Sequence, residues 1–191
     1  MGEQRQLEVS THVKPALELT SVPPWTVSPT LPDADVTGAT WTVIAIGPDA
    51  GPVVDTWTAQ VTAAHPSAPV TVHRVDDVSS AVAALDADLT AASVGWRLMV
   101  AGPAHACLKV RAHAVRHEVA DDEMTFASTE VDHRTVLCVH CGERNEAPVG
   151  IEDVLPCAGC ERNLLVHYHV SRRQGAYLGY QVDAEQLVES A

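Results

Sequence analysis

Aromatic residues are scarce in this chain. Phe, Trp and Tyr make up 4% of 191 residues, with a single Phe, so Val, Leu and Ala must supply most of any core. Basic residues are few as well. Lys and Arg number 12 against 25 Asp and Glu, a formal net charge of -13. That balance argues against the Lys/Arg-rich face that nucleic acid requires and against an anionic membrane surface; charged partners would be basic. No stretch approaches the ~20 apolar residues that span a bilayer. The start, MGEQRQLEVSTHVKPALELT, lacks an apolar run long enough for a secretory signal, and Gln6 stands where a myristoylation signal would carry Ser or Thr. The expectation is a cytoplasmic protein. Also missing are a P-loop, a Ser/His/Asp set and a pair of catalytic carboxylates.

What is present suits one medium domain or a modest domain with an appendage. Apolar residues reach 46%, enough for a core. Residues 1–36 hold five prolines and little periodicity, which predicts an extended arm; Trp25, if ordered, would dock on a neighbouring surface. From Trp41 strands and helices alternate. WTVIAIG (41–47) reads as a strand, and PVVDTWTAQVTAA follows with Val53, Val54, Trp57, Val61 and Ala64 at helical spacing. VTVHRV (70–75) is the second strand, and Asp76 or Asp77 can cap a helix with Val78, Val82, Leu85 and Leu89 along one stripe. WRLMVAG (96–102) is the third strand. AHACLKVRAHAVRHEV then predicts a helix with Leu108, Ala112, Val115 and Val119 inward, and EMTFAST a fourth strand. Three successive βα units predict an α/β domain over 37–132, a small parallel sheet with helices on both faces. Residues 133–180 form a second, β-rich unit, and 181–191 an acidic tail.

Four of the five cysteines stand as two Cys-x-x-Cys pairs fifteen residues apart, in CVHCGERNEAPVGIEDVLPCAGCERN. In a reducing compartment such pairs are metal sites more often than disulfides. Each pair can form a knuckle with both sulfurs on one side, and two knuckles on adjacent hairpins present four thiolates tetrahedrally. Gly142 fits the left-handed turn a knuckle needs; Glu161 takes that place in the second. With β-like RTVLC and NLLVHYHV as flanks, the spacing predicts a zinc ribbon whose metal is held by Cys138, Cys141, Cys157 and Cys160. A closed set of four protein ligands reads as structural zinc, and the same tetrahedron accepts iron, giving a rubredoxin-like electron carrier as the alternative. Cys107, inside a predicted helix, takes no part.

His105, Lys109, His113 and His117 recur every fourth residue with no carboxylate partner in register, which reads as a solvated helix face. HVSRRQGAYLGY (169–180) concentrates Arg172 and Arg173 in an acidic chain, followed by Tyr177 and Tyr180. It is either a turn capping the ribbon or a docking strip anchored by Arg172, Arg173 and Tyr177.

Over 134–180 both knuckles and HVSRRQGAYLG resemble the family of small subunits of dimethylamine monooxygenase. Residues 41–130 are similar in layout to the nicotinamide-binding half of ferredoxin reductases. Those enzymes carry a Cys before Gly-Pro where this chain has Ala101, and their glycine-rich loop is reduced here to IGPDAGPVV. The resemblance implies a non-catalytic zinc-binding subunit of a complex that converts dimethylamine to methylamine and formaldehyde. Its partners would be the haem catalytic subunit, plus a reductase subunit with flavin or iron-sulfur, and those cofactors would sit on them.

Overall fold

The computed structural model describes residues 14–182; the acidic residues Asp183, Glu185 and Glu189 of the expected tail lie outside them. The first sheet is parallel. Strands β1 (Thr40–Ile46), β2 (Val70–Val75), β3 (Trp96–Pro103) and β4 (Met124–Glu130) lie in the order β2-β1-β3-β4, with helices α1 (Gly51–Ala64), α2 (Val78–Leu89) and α3 (Ala104–Arg116) as crossovers. The period-two alternation of a strand divides the side chains between two faces. Trp41, Val43 and Ala45 pack with Val54, Trp57 and Val61 of α1, while Ile44, Ile46, Leu98 and Val100 pack with Ala81 and Leu85 of α2 and Val110 of α3. Helices therefore cover both faces. Asp77 is the cap of α2, its side chain accepting from the Ser80 N–H at 2.8 Å.

The second sheet is mixed and curled. Strands β5 (Arg134–Cys138), β6 (Arg144–Ala147), β7 (Val154–Pro156), β8 (Asn163–Ser171) and β9 (Ala176–Gln181) run in the order β6-β5-β9-β8-β7. Two hairpins, β5–β6 and β7–β8, occupy its edges, and β9 joins them, parallel to β5 and antiparallel to β8.

Helix α3 serves both units, which differs from the expected single stripe. Ala106, Cys107, Val110 and Ala114 face the parallel sheet, whereas Leu108 is buried with Val136, Val166 and Tyr177 of the second sheet. Val115 is only half-buried. The helix is alanine-rich nearly all round, so periodicity alone did not mark two apolar faces. The β8–β9 turn closes on α3 at Gly175, where φ is +58° and an added Cβ would lie 2.5 Å from the Leu108 carbonyl oxygen.

The described residues before β1, 14–39, form no long element of their own, yet they are packed along both units. Trp25 stacks on Phe126 at 5.0 Å, and Val22 joins the core of the second sheet. The Thr26 hydroxyl and the Tyr177 hydroxyl share a buried hydrogen bond of 2.7 Å. Further along, Trp57 Nε1 donates to the Pro32 carbonyl at 2.8 Å and the Ala34 N–H to Gln60 Oε1 at 2.8 Å. Residues 22–34, without periodicity, are thus held by buried side chains and hydrogen bonds at spaced points. Among the described residues no helix is long and apolar enough to cross a membrane.

Candidate metal centre

The two knuckles are built alike. In the first, the Gly142 N–H donates to the Cys138 carbonyl and the Cys138 N–H to the Glu143 carbonyl, both at 2.9 Å. In the second, Glu161 N–H to Cys157 carbonyl and Cys157 N–H to Arg162 carbonyl repeat the pattern, again at 2.9 Å. The left-handed position is Gly142 at φ +79° in one and Glu161 at φ +60° in the other. A side chain there costs ~1–2 kcal/mol, which the closed knuckle tolerates. Gly159 is needed for approach: a Cβ on it would come within 2.9 Å of Glu143 Cβ and 3.2 Å of Cys141 Sγ.

Curling of the sheet brings the hairpin tips together. Cys138 Sγ lies 3.8 Å from Cys160 Sγ, and Cys141 Sγ 3.6 Å from Cys157 Sγ. The four ligand atoms lie within 4.8 Å of one another. A tetrahedron of sulfurs each ~2.3 Å from a metal has edges of ~3.8 Å, so the spacing fits a four-thiolate site and is far longer than a disulfide bond of ~2.05 Å. Cys138 and Cys157 are buried and Cys141 is exposed.

The four thiols drive one another apart: against the Glu143 N–H, desolvation and the three neighbouring thiols push Cys141 up to about 12, while Cys157 and Cys160 come down. Desolvation pushes the Cys157 thiol up, but the Gly159 and Cys160 backbone N–H groups and the Cys141 and Cys160 thiols outweigh it and bring it down to about 6. The Arg162 N–H, against desolvation, lowers Cys160. Thiolate is the ligating form. Burial instead pushes Cys107 up to about 12, where its Sγ points to the Gly102 and Ala127 carbonyls at 3.6 and 3.7 Å.

One residue carried no distinct mark in the sequence. Asn145 is buried, accepts from the Ala158 N–H at 2.8 Å through Oδ1, and directs Nδ2 to the Val136 carbonyl at 3.3 Å and to Cys157 Sγ at 3.8 Å. It clamps one knuckle to the other. The available signal was the Glu-Arg-Asn that trails each cysteine pair.

The other expected residues fall elsewhere. Tyr177 is not a surface anchor: it is 1% exposed, because its ring fills the second core and its hydroxyl holds Thr26. Arg172 is half-exposed and pairs with Asp121 at 2.9 Å; the side chain of Arg173 is exposed. The histidine face of α3 does have carboxylates, supplied by other elements. Asp86 of α2 lies 2.6 Å from His113 Nε2 and 3.7 Å from His117 Nε2. These three residues can be drawn as a metal triad, but Arg116 Nη2 lies 3.2 Å from His113 Nδ1. A guanidinium only donates, so Nδ1 accepts and the proton sits on Nε2, facing Asp86. In that tautomer Nε2 is a hydrogen-bond donor to Asp86, the reverse of what a ligating Nε2 needs.

Residues 135–180 match the family described as dimethylamine monooxygenase subunit DmmA-like, C-terminal domain. The chain is also 35% identical over 102 residues to the heme-dependent oxidative N-demethylase delta subunit of Ectopseudomonas mendocina (strain ymp), a match covering 53% of this chain and 57% of that relative. It thus spans little more than half the length of the curated relative. No solved structure matches the chain. The likeness to DmmA-like subunits of dimethylamine monooxygenase is thus carried by the cysteine-bearing sheet, residues 135–180.

Proposed function

We propose that the chain is a non-catalytic, zinc-binding subunit of an oxidative N-demethylase acting on dimethylamine. In this reading it stabilises or bridges the subunits that hold haem and the flavin or iron-sulfur reductase. One observation carries it: the Sγ atoms of Cys138, Cys141, Cys157 and Cys160 lie within 4.8 Å of one another, two pairs of them at 3.6 and 3.8 Å, inside the matched residues 135–180. Four protein ligands leave no position for water or substrate, which favours a structural metal. Zinc there would supply roughly 10–16 kcal/mol of apparent folding free energy, enough to hold the curled sheet of a unit too small to bury a large core.

Arg173, and Arg172 when released from Asp121, are the proposed contact of the β8–β9 turn with a neighbouring subunit. A rubredoxin-like iron centre is the competing reading, and the exposed Cys141 edge favours it, since electron transfer needs an accessible sulfur. The test is co-purification of the tagged full chain from its native cell, with metal analysis. Stoichiometric zinc together with demethylase subunits is the expected result; iron, or the absence of any demethylase subunit, contradicts the proposal.

A further inference from the structure

Beside the β8–β9 turn lies a groove of about 540 Å³. Its floor is apolar, formed by Val78 and Val82 of α2 and Ala112 of α3, and its rim carries Lys109, Arg116 and Arg144. Among the described residues no Asp or Glu lines it, in a chain of net charge -13. Lys109 is paired with Glu146, and His113, which also borders the groove, with Asp86. Among the described residues, Arg116 and Arg144 form no ion pair. Neutral acceptors hold them instead: Arg116 Nη1 donates to the Arg173 carbonyl at 3.0 Å and Nη2 to His113 Nδ1 at 3.2 Å, and Arg144 Nη2 to the Gln174 carbonyl at 2.9 Å and to Gln174 Oε1 at 2.8 Å. Such contacts fix the guanidiniums without neutralising them, so little ordering remains to be done when an anion arrives. A guanidinium fork matches carboxylate or phosphate.

We propose that this groove docks an extended acidic segment of a partner protein in the complex. Its carboxylates meet Arg116 and Arg144, and an aliphatic side chain covers Val78, Val82 and Ala112. The proposal rests on the reading of the chain as part of a larger assembly. Two features select a peptide over a small anion. The rim residues Arg116, Arg144 and Gln174 are exposed, leaving the groove open for a chain to pass through rather than closing over a ligand. The apolar floor between the charges also has nothing to offer phosphate. Exposed Arg173, beside Gln174 in the turn, extends the basic rim towards the proposed contact strip.

The experiment uses the full chain and a fluorescein-labelled, end-capped octapeptide of six acidic and two leucine residues, read by anisotropy at low and moderate salt. Arg116→Gln and Arg144→Gln are compared with Arg74→Gln, which removes the same charge from β2, where Arg74 pairs with Asp55. Circular dichroism and metal content confirm that each variant is folded. The groove variants should each weaken binding by about tenfold or more, and Arg74→Gln by less than about twofold. Equal weakening by all three, no binding by the wild type, or tripolyphosphate binding more tightly than the peptide would overturn the proposal. The peptide assay contains no other demethylase component, so its failure leaves the chain's place in the complex standing. Failure to recover partners from cells likewise leaves the peptide result standing.

Discussion

Replacing Gly175 by Ala tests whether α3 and the second sheet form one packed body. Gly175 has φ +58°, and an added Cβ would meet the Leu108 carbonyl oxygen at 2.5 Å, the Leu108 carbonyl carbon at 2.9 Å and Ala112 Cβ at 3.0 Å. Two penalties apply. The left-handed conformation costs ~1–2 kcal/mol for Ala, of which ~0.4–1 kcal/mol is offset by stiffening of the unfolded chain. Forcing backbone and side chain apart in a packed seam adds ~1–3 kcal/mol. Gly142→Ala isolates the first penalty, because Gly142 has φ +79° with nothing among the described residues within 4 Å of its Cβ position and, like Gly175, donates its N–H to the carbonyl four residues before it. The seam variant should therefore lose ~2–4 kcal/mol and the control ~1 kcal/mol. With a urea slope of ~2 kcal/mol/M, those losses are midpoint shifts of ~1–2 M and ~0.5 M. Unfolding is followed by tryptophan fluorescence, to which Trp25 against Phe126 contributes, and by far-ultraviolet circular dichroism. Equal shifts for the two variants would refute the seam, since the contact penalty would then be absent.

Three further outcomes follow from individual contacts. Thr26→Val should destabilise by ~1–2 kcal/mol in urea unfolding, by leaving the buried Tyr177 hydroxyl without its best partner; Tyr177→Phe should cost less, because the Thr26 hydroxyl keeps the Pro23 carbonyl at 2.7 Å. Asn145→Ala should raise the zinc dissociation constant ~10–100-fold in a chelator competition while leaving stoichiometry unchanged. Desolvation pushes Asp35 up, but the Thr37 hydroxyl and N–H and the Arg97 guanidinium outweigh it and hold its carboxyl below the ordinary range. Its contribution is thus present above the unfolded carboxylate pKa and lost as pH falls through the folded one, so the stability gap between wild type and Asp35→Asn should close below about pH 4.

Strand β2 matches the VTVHRV segment residue for residue, and the Asp77 cap and the helices on both faces were equally legible. β-branched runs, a capping aspartate and apolar stripes are local signals. The cysteine pairs were legible because their spacing is itself the constraint. What escaped depended on other parts of the chain. Tyr177 has the chemistry of a docking residue, but its partner, Thr26, lies 151 residues away in the sequence. Likewise, the histidines of α3 have no carboxylate in register on their own helix, and Asp86 reaches them from α2. The double role of α3 was masked by alanines on every side. Glu161, in a left-handed position that favours glycine, was visible as a departure from the Gly142 pattern, but the backbone bonds that hold it there belong to the closed knuckle.

If Cys138, Cys141, Cys157 and Cys160 hold one zinc that fixes the second sheet, the metal must depend on each of them and not on Cys107. Elemental analysis of the purified full chain, run beside Cys157→Ser and Cys107→Ser, tests this most directly. The expected result is one zinc per chain in the wild type and in Cys107→Ser, a colourless protein, and loss of the metal in Cys157→Ser. Iron with visible absorption in the wild type, or full zinc occupancy in Cys157→Ser, would contradict it.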